Sequence, residues 1–196
     1  MLKVTLGVEV AAVPRRKALP EHEILLILRA ADDIIAQGGR TMLAKILKGS
    51  KDKRLLEHEL DRCPAYGCFS SLTLDEIMQK IDWMIHHGYL KTEYFGKLPL
   101  IVFTDKGWMI EREQRAEEFL REWDFWLDNG IPGVSMEYLK DRNRGMITLF
   151  LEKVKQTGNP KYIPLLRQWE QIDYKKVRAM IRDVIKHLES SKMGRG

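Results

Sequence analysis

The chain has 196 residues, 44% hydrophobic and 31% charged, which fits a soluble globular protein of one domain or two small ones. Its net charge of +5 and pI of about 9.1 permit an anionic partner without naming one. No apolar run is long enough to span a bilayer, the N-terminus lacks a signal peptide's apolar region and cleavage site, and two cysteines, Cys63 and Cys68, make neither a zinc site nor a disulfide framework. The expected location is therefore the cytoplasm, with no membrane contact, and the thiols are read as reduced and structural.

Leu2 to Val10 alternates loosely, a strand pattern interrupted by Gly7, and Pro14 with Arg15-Arg16-Lys17 ends it. This N-terminal arm, residues 1–18, is expected to pack on a sheet edge rather than touch an anion. Pro20 opens a helix at its first turn, and Ile24, Ile27, Leu28, Ala31, Ile34 and Ile35 form one apolar stripe that Gly38-Gly39 stops. Thr41 is placed to cap a second helix, which carries Leu43, Ile46 and Leu47 and closes at Gly49. Ser50 is placed to N-cap a third, whose first turn is crowded by Lys51, Lys53 and Arg54. Cations there oppose the helix dipole, and a phosphate reverses the argument. With Arg40, Lys45 and Lys48 nearby, the turn is a candidate phosphate clamp, against the plainer reading of a solvated basic turn.

Thr73-Leu-Asp-Glu76 is a capping box, and Leu74, Ile77, Met78, Ile81, Met84 and Ile85 are the expected core face of the helix it opens, with Gly88 as its stop. Three helices followed by this one make the core of a winged helix, in which it holds the recognition position. Its polar face carries Asp75, Glu76 and Asp82 against Lys80, which is poor equipment for reading a groove. Binding is therefore assigned to the Ser50 turn and to the hairpin, or wing, from Tyr89 to Phe103. The wing turns at Gly96-Lys97-Leu98-Pro99 and presents Phe95, Lys97 and Leu98 at its tip, unless Phe95 folds back onto the core.

Thr104 leads into a long helix with a stripe of Ala116, Phe119, Leu120, Trp123 and Trp126 or Leu127, which needs cover from elsewhere. Asp128-Asn-Gly130 and Ile131-Pro-Gly133 break the chain. Beyond them the pattern is all helical. Met146, Ile147, Phe150, Leu151 and Val154 line one helix, and Ile163, Leu165, Leu166 and Trp169 line half of a HEAT-like pair. The last helix, capped by Asp173, turns Val177, Ile181, Val184, Ile185 and Leu188 inward. Its Lys and Arg residues read as a solvated face, and residues 191–196 as a disordered tail.

Leu-Lys-Gly-Ser-Lys-Asp-Lys-Arg from Leu47 to Arg54, a short helix, then Tyr66-Gly67, resembles the RQC domain, the winged-helix module of RecQ-type DNA helicases. The resemblance continues through Ile85-His86-His87-Gly88-Tyr89-Leu90 and the closing Phe103-Thr-Asp-Lys-Gly107. The whole chain looks most like the small bacterial stand-alone proteins of the minor RQC family. The resemblance implies a mainly α fold with a small β wing, a winged helix over 19–110, a helical extension over 111–190, and a wing that acts as a strand-separating wedge. It implies DNA contact by Arg40, Lys45, Lys48, Gly49, Ser50, Lys51, Lys53, Arg54, Tyr66, Phe95, Lys97 and Leu98, and a nucleoid-associated location. No phosphate-binding Gly-x-x-x-x-Gly-Lys-Ser/Thr loop, Gly-x-Ser-x-Gly elbow or His-Glu-x-x-His helix occurs. The expectation is a non-enzymatic protein, without cofactor or metal, that binds duplex ends, forks or junctions and that docks a helicase or another protein through its tail. The alternative is a protein-interaction adaptor that does not touch DNA.

Overall fold

The computed structural model describes residues 18–193, with side chains described to residue 190. The N-terminal arm therefore lies, but for Ala18, outside the described residues. The fold is mainly α with one two-stranded antiparallel sheet. Helix α1 spans Glu21–Asp32, α2 Arg40–Lys48, α3 Lys53–Glu57 and α4 Leu74–His86; strands β1 Leu90–Phe95 and β2 Leu98–Phe103 follow, then α5 Asp105–Asp128. The extension holds α6 Arg144–Thr157, α7 Ile163–Ile172 and α8 Lys175–Met193. Helix α8 thus runs three residues into the expected disordered tail, of which 194–196 lie outside the described residues.

Local rules place most of these boundaries. Pro20 sits at the N-cap of α1, where its carbonyl accepts the N–H groups of Glu23 and Ile24. The helix ends at Asp32, earlier than the Gly38-Gly39 stop. The chain from 33 to 39 has other work: Ala36 N–H donates to Ile101 O and Ile101 N–H donates to Gly38 O, so this loop lies against β2 like a short third strand. Thr41 falls inside α2 rather than capping it; Gly39 holds the N-cap with no side-chain bond. Thr73 and Glu76 form both halves of the capping box at α4. Leu74, expected in the core, is 45% exposed, whereas Trp83, not expected there, is buried.

Two cores form. The first gathers Ile27 and Leu28 of α1, Leu43, Ile46 and Leu47 of α2, Ile77, Ile81 and Met84 of α4, and Leu90 and Ile101 at the base of the hairpin. The second packs Phe119 and Trp123 of α5 on Phe150, Trp169, Ile181 and Leu188. The aromatic stripe of α5 therefore finds its cover within the chain. Trp123 meets Phe150 edge-on at 4.9 Å, and its indole N–H donates to Tyr138 Oη at 2.9 Å. Trp169 N–H donates to the buried Asp173 carboxylate at 2.6 Å, and the same carboxylate accepts the Tyr174 N–H at the start of α8.

Helix α5 belongs to both cores and crosses residue 110 without a break. It starts one residue after β2, capped by Thr104, whose hydroxyl donates to Gly88 O at 2.6 Å. Gly107 presses against the hairpin's base: a Cβ there would lie 2.0 Å from Tyr89 O, so only glycine fits. Between the cores lies a polar seam. Arg29 pairs with Asp33 and Glu118, Arg115 with Asp32 and Glu118, and Glu111 is fully buried beside them.

Candidate nucleic-acid interface

The basic turn is built by two glycines. Gly49 ends α2 at φ +74°, and a Cβ on it would lie 2.9 Å from Gly67 Cα. Gly67 N–H donates to Ile46 O and Phe69 N–H to Leu47 O, both at 2.9 Å, while Tyr66 Oη donates to Ser50 O. The Gly-Ser and Tyr-Gly signatures are thus two sides of one backbone crossing. Ser50 does not cap α3. Asp52 does, accepting the Arg54 N–H, and α3 has only five residues. Asp52 therefore engages the Arg54 N–H at the start of α3, the place a phosphate would otherwise take.

The basic side chains around the turn divide into engaged and exposed. Lys48 donates to Ser70 O and Leu72 O at 2.6 and 2.7 Å and so fastens the loop before α4. Arg40 pairs with Asp82 of α4. Lys45 pairs with Asp52 at 2.6 Å, and this hydrogen bond, with that from Arg54 N–H, holds the Asp52 carboxyl below its usual range. Lys53 reaches Glu57 at 3.5 Å. Lys51 and Arg54 are exposed and take part in no salt bridge among the described residues.

The hairpin pairs Leu90 with Phe103 through to Phe95 with Leu98, so the turn is only Gly96-Lys97, and Leu98 and Pro99 already belong to β2. Phe95 is 78% exposed, Tyr94 73% and Leu98 63%; Phe95 does not fold back. Strand alternation sorts them. Leu90 and Ile101 are buried, so Thr92, Tyr94 and Pro99 continue the inner face, while Phe95 and Leu98 share the outer one. The blade carries an aromatic ring on each side. Sequence reading singled out Phe95 and passed over Tyr94, although the parity of Leu90 marked it.

Between the inner face and the helices opens a cleft of about 780 Å³. Its walls are Thr92, Tyr94 and Pro99 of the wing and Arg40, Lys45, Asp52 and Arg54 of the basic turn, with Asp82 and His86 at the end of α4. The cleft brings together Arg40, Lys45 and Arg54 from the predicted set, whereas Phe95 and Leu98 stand outside it. Lys80 of α4 is tied to Glu23, and Glu76 to its own helix start, so the recognition helix presents no unengaged Lys or Arg.

No group of three metal-ligating side chains occurs among the described residues. Burial pushes the Cys63 thiol up to about 12 and the Cys68 thiol up to about 11, the opposite of an activated thiolate. No helix among the described residues is long and apolar enough to cross a membrane.

The family model of the RQC domain matches residues 21–121, just over half of the chain. The ATP-dependent DNA helicase RecQ of Bacillus subtilis (strain 168) is 30% identical over 69 residues, which are 35% of this chain and 12% of that protein. The chain thus covers about an eighth of its curated relative. No solved structure matches.

Proposed function

The chain belongs to the RQC-domain family, and from that premise we propose that it is a non-enzymatic DNA-binding protein of duplex ends, forks or single-/double-strand junctions. The observation that carries the reading is the wing: a two-residue hairpin, fixed at its base by Thr104 and Gly107, with Phe95 and Leu98 bare on one side and Tyr94 on the other. An exposed ring at the tip of a fixed hairpin suits an end base pair rather than a groove. Stacking one base on an aromatic side chain is worth roughly 1–3 kcal/mol, comparable to the few kcal/mol that extruding one base requires. Lys51, Arg54 and Lys97 supply the phosphate attraction. The sequence contains no nucleotide-binding loop, so strand separation by the wing is passive and local.

Phe95→Ala tests this. Forked or blunt-ended DNA should lose about thirtyfold in affinity, near the middle of the stacking range, while closed circular duplex loses little. A fluorescent base in the terminal pair should brighten with the parent and stay dark with the variant. Equal brightening by both, or equal binding of circles and ends by the parent, overturns the wedge. Affinity that ignores salt from 50 to 200 mM points instead to the adaptor.

A further inference from the structure

The cleft on the wing's inner face is lined by a ring, an ion pair and a further cation. Resting on the junction reading above, we infer that it receives one unpaired nucleotide of the strand that passes on the Ser50 side, and that it favours guanine. Three features on separate elements converge there. Tyr94 of β1, 73% exposed, offers a ring face. Arg40 of α2 and Asp82 of α4, with side chains 47% and 39% exposed, form an ion pair that lines the same cleft. Arg54 of α3, with no salt bridge among the described residues, also lines the cleft. A cleft of about 780 Å³ falls within the range of small-ligand sites.

The chemistry selects the base. Single-stranded bases are read by stacking and through their Watson–Crick edges. Asp82 is held by Arg40 through Oδ1, which leaves Oδ2 as an acceptor. Guanine alone among the four bases presents two adjacent donors, N1–H and the 2-amino group, to a carboxylate. Its O6 acceptor lies next to N1–H, where the Arg40 guanidinium can donate. Cytosine, adenine and thymine each place an acceptor beside their donor and meet Asp82 with a repulsive contact. Tyr94 stacks any base, Asp82 and Arg40 choose among them, and Arg54 holds the attached phosphate.

Forked DNA with guanine, inosine, adenine or an abasic site at the first unpaired position separates these roles. The parent should bind the guanine fork about tenfold tighter than the abasic one and several-fold tighter than inosine, which lacks the 2-amino group. Tyr94→Ala should lower the guanine, inosine and adenine forks toward the abasic one. Asp82→Asn should erase guanine over inosine while leaving the abasic fork bound at least as tightly, because Arg40 is freed for phosphate; a merely structural Asp82 would weaken every fork. Equal parent affinity for all four forks, with forks still preferred to closed duplex, overturns the cleft alone, and so does a guanine preference that survives Asp82→Asn. Loss of the fork preference itself overturns the junction reading and this one with it. Guanosine monophosphate should not compete at concentrations that saturate the fork; competition there would assign the cleft to a free nucleotide.

Discussion

Glu111 is a carboxylic acid in an unfavourable place. Its side chain is fully buried in the seam between the two cores, and one carboxyl oxygen has no hydrogen-bond partner. Burial, reinforced by the nearby Asp32 carboxylate, pushes its pKa up to about 9 against the ordinary 4.5. From pH 4.5 to about 9 the unfolded chain has lost this proton while the folded chain keeps it, so this group's contribution to stability falls as pH rises through that window. Glu111→Gln keeps the shape and removes the titration. It should raise the melting temperature at pH 8, by about 2–4 °C for each kcal/mol recovered in a chain of this size, and flatten the decline from pH 5 to 9. Parallel melting curves for parent and variant across that range would refute the assignment. Nothing in the sequence singled out Glu111, because its burial depends on α1 and α5 meeting, a long-range event. Gly49, by contrast, was legible as a helix end from its neighbours alone; its second role, admitting Gly67 to van der Waals contact, was not.

Among the elements, the basic turn shows how charges that look free in a sequence become engaged in space. Four of its cations, Arg40, Lys45, Lys48 and Lys53, have intramolecular partners, and for the first three the partner lies outside the cation's own helix. Salt dependence should therefore report fewer contacts than the six Lys and Arg of this region. Replacing Lys51 and Arg54 with Ala should lower the slope of log affinity against log salt by about two, at roughly 0.9 per lost phosphate contact, with folding unchanged. Asp52→Asn should do the reverse, releasing Lys45 and steepening the slope by about one. Identical slopes in all three proteins would show that phosphates bind elsewhere. Capping boxes, helix stops and apolar stripes made α2, α4 and the hairpin readable, since their signals lie within a few residues. The end of α1 was not, because β2 takes up the backbone groups of Ala36 and Gly38 just beyond it, and neither was the Asp52 cap, since Ser50 is an equally good capping residue two positions earlier.

For the whole molecule, the decisive fact is that the helical extension is part of the core rather than an appendage. It covers Phe119 and Trp123, which are nearly or wholly buried. A chain cut after Gly130 should expose an apolar patch beyond the few hundred Å² normal for monomers, and light scattering should show it aggregating. A monomeric fragment with the parent's melting temperature would contradict this. The need for cover was visible in the aromatic stripe itself; what supplied it was not, since helix pairing across a break at Gly130–Gly133 leaves no local mark. Helix α5 also has a mechanical consequence. It leaves the wing without a linker, its base fixed by Thr104 and by the Gly107 contact with Tyr89 O. At 1.5 Å per residue its 24 residues form a rod about 36 Å long, so a tilt of about 5° at the hairpin moves the far end by about 3 Å. If the wing meets a strand as proposed, load at its tip passes along α5 directly into the second core, because the same helix is packed in both.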